Sequence, residues 1–171
     1  MLQANTYPSI ESVPEELRRL DGACGPISVW LVLSRHGISA KPDDILRLCR
    51  YNEERGTFIV CMAEALQSCG LHISFHSDPD PTPHADEVTA YRKVSVAPPK
   101  SVARLLESVR AGASVIVSYV ALGGEGHFSP LAGAHANKLL LPYSLSGYIL
   151  RSEFLKRWRA PGIFRQTIVA T

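Results

Sequence analysis

The apolar positions of this chain change their spacing about two thirds of the way along. Between residues 23 and 111, apolar side chains recur at helical intervals of three and four residues. After Gly112 they form short runs separated by turns that contain glycine. Helices followed by antiparallel strands are typical of an α+β fold. The sequence therefore predicts a polar N-terminal segment over residues 1–22, a mainly helical half over residues 23–111 and a mainly β half over residues 112–171.

The most apolar of the predicted helices begins at Cys24. Pro26 suits its first turn, and Gly37 suits its exit. The stretch Ile27–Leu33 places apolar side chains on nearly every face. A helix with this pattern is typical of the centre of a domain, so we expect it to be buried on most sides.

The spacing of apolar and turn-forming residues also predicts the other helices, strands and loops. Further helices are predicted at Pro14–Leu20, Pro42–Arg50, Thr57–Cys69, Lys100–Ala111 and Ser152–Trp158. Strands are predicted at Leu71–His76, Ser114–Leu122, His127–Gly133, Lys138–Ser144 and Ile163–Ala170. Three alternating prolines in Ser77–His84 are incompatible with both helix and strand, so this segment is predicted to be a surface loop.

Length and charge narrow the possible partners. With 171 residues, 46% of them apolar, the chain is predicted to be one domain, residues 1–171, with a sizeable core. A net charge of +2 is too small to favour nucleic acid or an anionic membrane. Its apolar runs are shorter than the roughly 20 residues of a membrane span, and Met1–Glu11 has no signal-peptide pattern. We therefore expect a cytoplasmic protein.

Four cysteines offer candidate chemistry: Cys24, Cys49, Cys61 and Cys69. No CxxC spacing occurs, so the sequence predicts neither a metal site nor a cofactor. Cys24 differs from the others because it lies where a helix begins. The helix dipole and the free N–H groups there lower the pKa of a thiol and can bind an oxyanion, which favours a nucleophile. An inert buried cysteine fits the same position, and packing is the interpretation for the other three.

Among the six histidines, His127 is the best candidate for a general base. It opens a predicted strand directly after the glycine-rich stretch Gly123–Gly126, which leaves room for a substrate. An ordinary edge-strand histidine fits the spacing as well. His135, at the following turn, is a weaker candidate.

Cys24-Gly25 at the mouth of an apolar helix, with a Gly-His-Phe strand about a hundred residues later, resembles the papain-like cysteine peptidase superfamily. Double-glycine leader peptidases share the Cys-Gly-Pro opening and the His-Phe strand. The nearer resemblance is to phytochelatin synthase, through Val60-Cys-Met-Ala63, Ser118-Tyr119 and the block Gly126-His-Phe-Ser-Pro-Leu-Ala-Gly-Ala-His135. That family cleaves glycine from glutathione and transfers the γ-glutamylcysteinyl unit to a thiol or to water.

The resemblance implies a papain-like α+β fold in which Cys24 attacks an amide or thioester carbonyl and His127 transfers the proton. Gly25 and Gly126 lie beside these residues as substrate-binding positions. The family orients its histidine with an Asp shortly after a strand like Leu139–Leu141, but no carboxylate lies between Glu125 and Glu153. Asn137 is the predicted replacement, with Ser144 and Ser146 as alternatives.

A second departure concerns the oxyanion. Six residues before the nucleophile the family has a Gln, and this chain has Arg18. Arg18 is therefore the predicted oxyanion residue, although an exposed helix residue fits the same position.

Three functions follow. The first is acyl transfer or cleavage on a small thiol, a peptide or an acyl thioester, including one held on a carrier protein. The second is a leader-type cysteine peptidase. The third is a catalytically silent module that binds a peptide or a protein.

Overall fold

The computed structural model describes residues 5–171; the first four residues, on which part of the signal-peptide prediction rests, lie outside this range. A short 3-10 helix spans Ile10–Ser12. The α-helices are α1 (Glu15–Arg18), α2 (Cys24–Arg35), α3 (Pro42–Leu48), α4 (Ile59–Ser68), α5 (Ala85–Tyr91), α6 (Val102–Arg110) and α7 (Arg151–Trp158). The strands are β1 (Ile73–His76), β2 (Val96–Ala97), β3 (Ser114–Val120), β4 (Gly126–Pro130), β5 (Gly133–His135), β6 (Lys138–Leu140), β7 (Tyr148–Leu150) and β8 (Thr167–Ala170).

Two sheets organise these strands. The larger has five strands in the order β2-β1-β8-β3-β4, antiparallel except for the parallel pair β1 and β2. The smaller is an antiparallel meander of β5, β6 and β7. Strand β4 lies at one edge of the larger sheet, so one side of its backbone is free of a neighbouring strand. This open edge is where the candidate site forms.

Alternate residues of the larger sheet pack into two different hydrophobic cores. Ile116 and Ile168 belong to the core that contains α2, α3 and α4. Val115, Val117 and Tyr119 belong to the core that contains α6, α7 and the smaller sheet. This period of two places helices on both faces of the sheet. The all-round apolar pattern of α2 follows from its position, because Ile27 and Leu31 pack toward the N-terminal segment while Val32 and Leu33 pack toward α4 and the sheet.

The predicted α+β class is correct, and most of the predicted helices and strands form with shorter bounds, although α7 and β4 each begin one residue earlier than predicted. The segment Ser77–His84 is free of helix and strand, as predicted. Helix α5 and strands β2, β5 and β7 were not predicted from the sequence. Over residues 5–171, no helix is long and apolar enough to cross a membrane.

Candidate active site

Cys24 is the first residue of α2 and is half-buried. The residue before it, Ala23, has no side chain that could cap the helix. The first N–H groups of a helix lack partners within the helix, so those of Cys24 and Gly25 are free for other acceptors. Pro26 has no N–H. The helix mouth therefore offers two backbone donors beside the thiol.

A third donor comes from the open edge of β4. Ser118 donates its N–H to the Gln166 carbonyl at 3.3 Å, on the side away from β4. Ser118 is paired in register with Phe128, so Phe128 directs its own N–H away from β3. That N–H is close enough to the Cys24 sulfur to favour its thiolate. Cys24 and the residue after His127 are therefore neighbours in space.

Burial dominates the chemistry of this thiol. Desolvation raises the pKa of Cys24 above its ordinary value, and hydrogen bonding from the N–H groups of Phe128, Gly25 and Cys24 lowers it by less. The prediction that the helix mouth would give a lowered pKa is therefore wrong. The free N–H groups are present, but they offset only part of the cost of burying a charge. At neutral pH the resting Cys24 side chain is therefore a thiol.

Alkylation tests this protonation state. Because only the thiolate reacts, we expect the rate at which iodoacetamide modifies Cys24 to rise about tenfold per pH unit between about pH 7 and 9. Peptide mapping by mass spectrometry measures this rate, with half-buried Cys69 as an internal reference. A rate that is already constant across neutral pH would show a preformed thiolate–imidazolium pair and contradict the assignment.

The His127 imidazole has a defined orientation. Its Nε2 lies 2.6 Å from the carbonyl oxygen of Tyr143. A carbonyl only accepts hydrogen bonds, so Nε2 carries the proton and Nδ1 is left with a free lone pair. Burial lowers the pKa of His127, and the hydrogen bond to Tyr143 raises it by less. The ring is therefore neutral at pH 7, with Nδ1 available as a base.

Two aromatic rings hold this imidazole in place. Tyr143 stacks on it with ring centroids 5.3 Å apart, and Tyr119 meets it edge-on at 5.4 Å. The pKa of each tyrosine is raised by burial and, secondarily, by the nearby Cys24 sulfur. The two rings that contact His127 thus lie within electrostatic range of Cys24. This arrangement brings the two predicted residues to one edge of the sheet.

Ser129 fixes the partner of His127. It lies two residues further along β4, and its side chain is fully buried. Ser129 Oγ accepts the N–H of Tyr143 at 3.1 Å and donates to the Pro130 carbonyl at 2.9 Å. Strand β4 therefore binds both backbone polar groups of Tyr143: His127 contacts the carbonyl and Ser129 contacts the N–H. The sequence analysis assigned no role to Ser129.

The other predicted site residues lie elsewhere. Asn137 is exposed at the turn between β5 and β6, and the Tyr143 carbonyl takes the place beside His127 that was predicted for it. Arg18 is exposed on α1, where its Nε donates to the Val13 carbonyl at 3.0 Å. Gly126 begins β4 and has open space around it. Within residues 5–171, no group of three or more His, Cys, Asp or Glu side chains could hold a metal ion.

A cleft of about 470 Å³ opens beside His127. Tyr119 and Tyr143 form part of its wall, and the loop before β7 forms its rim. Leu122 and Leu145, with exposed fractions of 79% and 98%, stand at the mouth. Its volume lies in the range of about 300–1,000 Å³ that is typical of ligand clefts. His127 contributes to this wall, whereas Cys24 is not among the residues that line it.

Comparison with known proteins agrees with this architecture at the level of fold. No protein-family model and no curated protein sequence matches the chain. Among solved structures, it is similar to the peptidase domain of Streptococcus ComA, a bi-functional ABC transporter involved in a quorum-sensing pathway. The TM-score is 0.55 at 16% identity, over 86% of this chain and 90% of the other.

It is also similar to a double glycine motif protease from an AMS/PCAT transporter, solved in complex with the leader peptide. Here the TM-score is 0.57 at 15% identity, over 98% of this chain and 92% of the other. Both neighbours are thus described as proteolytic domains of transporters. The resemblance to leader peptidases is therefore matched by structural neighbours, whereas these two neighbours do not show the nearer resemblance to phytochelatin synthase. The chain shares the α+β fold of these two peptidase domains.

Proposed function

We propose that this chain is a cysteine peptidase that cleaves a peptide bond through Cys24 and His127. One observation carries the proposal: the Tyr143 carbonyl holds the proton on Nε2 of His127, so Nδ1 is a free base on the strand whose next residue, Phe128, neighbours the Cys24 sulfur. The fold shared with leader peptidases supports the same reaction class. This is the second of the three functions that the sequence predicted.

The reaction begins from the neutral pair. Nδ1 of His127 takes the proton of Cys24 as the sulfur attacks the carbonyl carbon, and the carbonyl oxygen becomes an oxyanion. The free N–H groups of Cys24 and Gly25 are placed to hydrogen-bond that oxyanion, which assigns to the backbone the role predicted for Arg18. His127 then gives its proton to the leaving amine, and the peptide bond breaks. Water, activated by the same imidazole, hydrolyses the thioester that remains on Cys24.

Acyl transfer to a thiol, the first of the predicted functions, differs only in the last step, where a thiol replaces water. It stays a prediction, because the two structural neighbours described above are a peptidase domain and a protease and do not test transfer. The same assay measures both outcomes. With a thiol such as glutathione present, the transfer product is heavier than the hydrolysis product by the mass of the thiol minus the mass of water.

The decisive test is digestion of a defined peptide library by the full chain, with products identified by mass spectrometry. Graded alkylation with iodoacetamide at about pH 9 then removes the thiol without changing the sequence. We expect cleavage to fall in proportion to the fraction of Cys24 modified. Cys69 serves as the control, because its modified fraction should not correlate with the loss. Absence of any cleavage, or cleavage that survives full modification of Cys24, would refute the proposal and favour the silent binding module.

A further inference from the structure

The cleft beside His127 contains one permanent charge. Of the described residues that form its wall, Arg157 of α7 is the only one that is always ionised. Most of the others are apolar or aromatic. The hydroxyls of Ser144 and Ser146 donate to carbonyls of their own loop, at 2.8 and 3.0 Å. The guanidinium is therefore the strongest hydrogen-bond donor that the cleft can offer to a ligand.

Most of the Arg157 donor capacity is unused. Its Nε donates to Glu153 Oε1 at 2.9 Å, and within residues 5–171 its two terminal nitrogens donate to no other group. The side chain is only 18% exposed, so most of its surface is shielded from bulk water. A guanidinium in this state gains more from an anionic ligand than one that is fully hydrated.

The charge of Arg157 is not cancelled by its neighbours. Glu153 lies between Arg157 and Lys156, whose Nζ is 3.9 Å from its carboxylate. Within this group of three side chains, two cations and one anion leave one positive charge. Lys156 is 79% exposed and does not form part of the cleft wall, so the positive charge inside the cleft is that of Arg157.

Tyr119 links this charge to the candidate active site. Burial raises its pKa, the Cys24 sulfur raises it further, and Arg157 lowers it. The phenol therefore lies within electrostatic range of both the nucleophile and the guanidinium. Its ring also meets the His127 imidazole edge-on. A ligand in the cleft can thus meet Arg157 while it remains close to the reacting groups.

We propose that Arg157 is a carboxylate-binding residue, which selects substrates that carry a free carboxylate near the bond that is cleaved. The inference rests on the proposed function and names its substrate class. Two of the guanidinium N–H groups match the two oxygens of a carboxylate, and the apolar wall strengthens that contact by excluding water. The carboxylate is either the end of a short peptide or an Asp or Glu side chain.

A thiol-labelling series tests the anion site without requiring turnover. The probes are maleimidoacetic, maleimidopropionic, maleimidobutanoic and maleimidohexanoic acids, each paired with its neutral amide. Labelling of Cys24 is followed by mass spectrometry on the full chain and normalised to Cys69. At the spacer length that spans from thiol to guanidinium, we expect the acid to react about tenfold faster than its amide, as a charge-assisted hydrogen bond allows.

Variants separate the guanidinium from general electrostatics. Arg157→Gln should abolish the preference for the acid, and Arg157→Lys should retain part of it. The matched control Lys156→Gln removes the adjacent exposed cation and should keep the preference. If the Gln variant does not fold, the wild type still decides, because added salt should weaken the preference by screening the charge. Three outcomes would overturn the proposal. The acids and amides could react at equal rates at every spacer length, the preference could survive Arg157→Gln, or Cys24 could fail to be labelled at all.

The labelling and cleavage assays distinguish the two proposals. A preference for acids without any cleavage would support the carboxylate-binding role of Arg157 and refute the peptidase function. Cleavage without a preference for acids would support the peptidase function and refute the role of Arg157. For a cleaved peptide, three forms identify the source of the carboxylate: a free C-terminus, an amidated C-terminus, and an amidated form with an added Glu. Arg157→Gln should raise KM for the preferred form by about tenfold and leave the amidated peptide without Glu unchanged.

Discussion

Alanine at His127 is expected to lower kcat/KM for peptide cleavage by about 10²–10⁴-fold, which is the usual contribution of a general acid–base group. Alanine at Cys24 should reduce cleavage to background, because the covalent intermediate forms on its sulfur. The double variant should lose no more than Cys24→Ala alone. This follows from the neutral resting pair: the buried thiol has no preformed charge, so its attack depends on the base at Nδ1 of His127.

The measurement is kcat/KM for one library-derived peptide, with thermal unfolding to confirm that each variant is folded. Cys69→Ala and His135→Ala are matched controls. Cys69 is a half-buried cysteine that follows α4, and His135 is an exposed histidine at the end of β5. Both should keep wild-type rates. A loss below threefold in His127→Ala, or independent and multiplicative losses in the double variant, would show that the two residues do not act as a unit.

The position of the histidine's partner was accessible from the sequence, but its chemical nature was not. The resemblance placed an orienting group shortly after Leu139–Leu141, and Tyr143 lies there. The predicted partner was a side chain, because residue identities specify side chains and not the direction of a backbone carbonyl. The group that meets His127 is a backbone carbonyl, which every residue possesses. Only the turn after β6, held by Ser129, determines that this carbonyl faces the imidazole.

The pKa of Cys24 shows a second limit. A helix beginning at Cys24 was predictable from Pro26 and the apolar run that follows, and it correctly implied free N–H groups. The extent of burial depends on how β4 packs over the helix mouth, which is a contact between residues about a hundred positions apart. Desolvation arises from that packing, so the local motif gave the wrong direction.

The missed elements have local explanations of the same kind. Helix α5 is capped by His84, whose Nδ1 accepts the Asp86 N–H at 3.1 Å while Glu87 accepts the His84 N–H at 2.8 Å. This is a capping box with histidine where Ser or Thr is usual, so the standard signal was absent. Strand β2 is only two residues long and exists because it pairs with β1. Neither feature has a period that sequence reading detects.

Alanine at Gly25 is expected to destabilise the fold and disturb the site together. A Cβ at this position would lie 2.1 Å from Thr57 Cγ2 and 3.0 Å from Met62 Sδ, distances that require the surroundings to move. Such overpacking costs about 1–3 kcal/mol of unfolding free energy. For a chain of this size, each kcal/mol lowers Tm by about 2–4 °C. Because Gly25 follows Cys24 and contributes one of the free N–H groups, the shift should also reduce kcat.

A second-site change identifies the clash as the cause. Thr57→Ser removes the Cγ2 methyl group and keeps the hydroxyl that donates to the Cys49 carbonyl. The pair Gly25→Ala with Thr57→Ser should therefore recover much of the lost Tm, which is the sign of coupling between residues in contact. Gly126→Ala is the matched glycine control for stability, since nothing lies within 4 Å of an added Cβ there. If Gly25→Ala melts like wild type, or Thr57→Ser gives no rescue, the close approach of α2 to Thr57 does not require glycine.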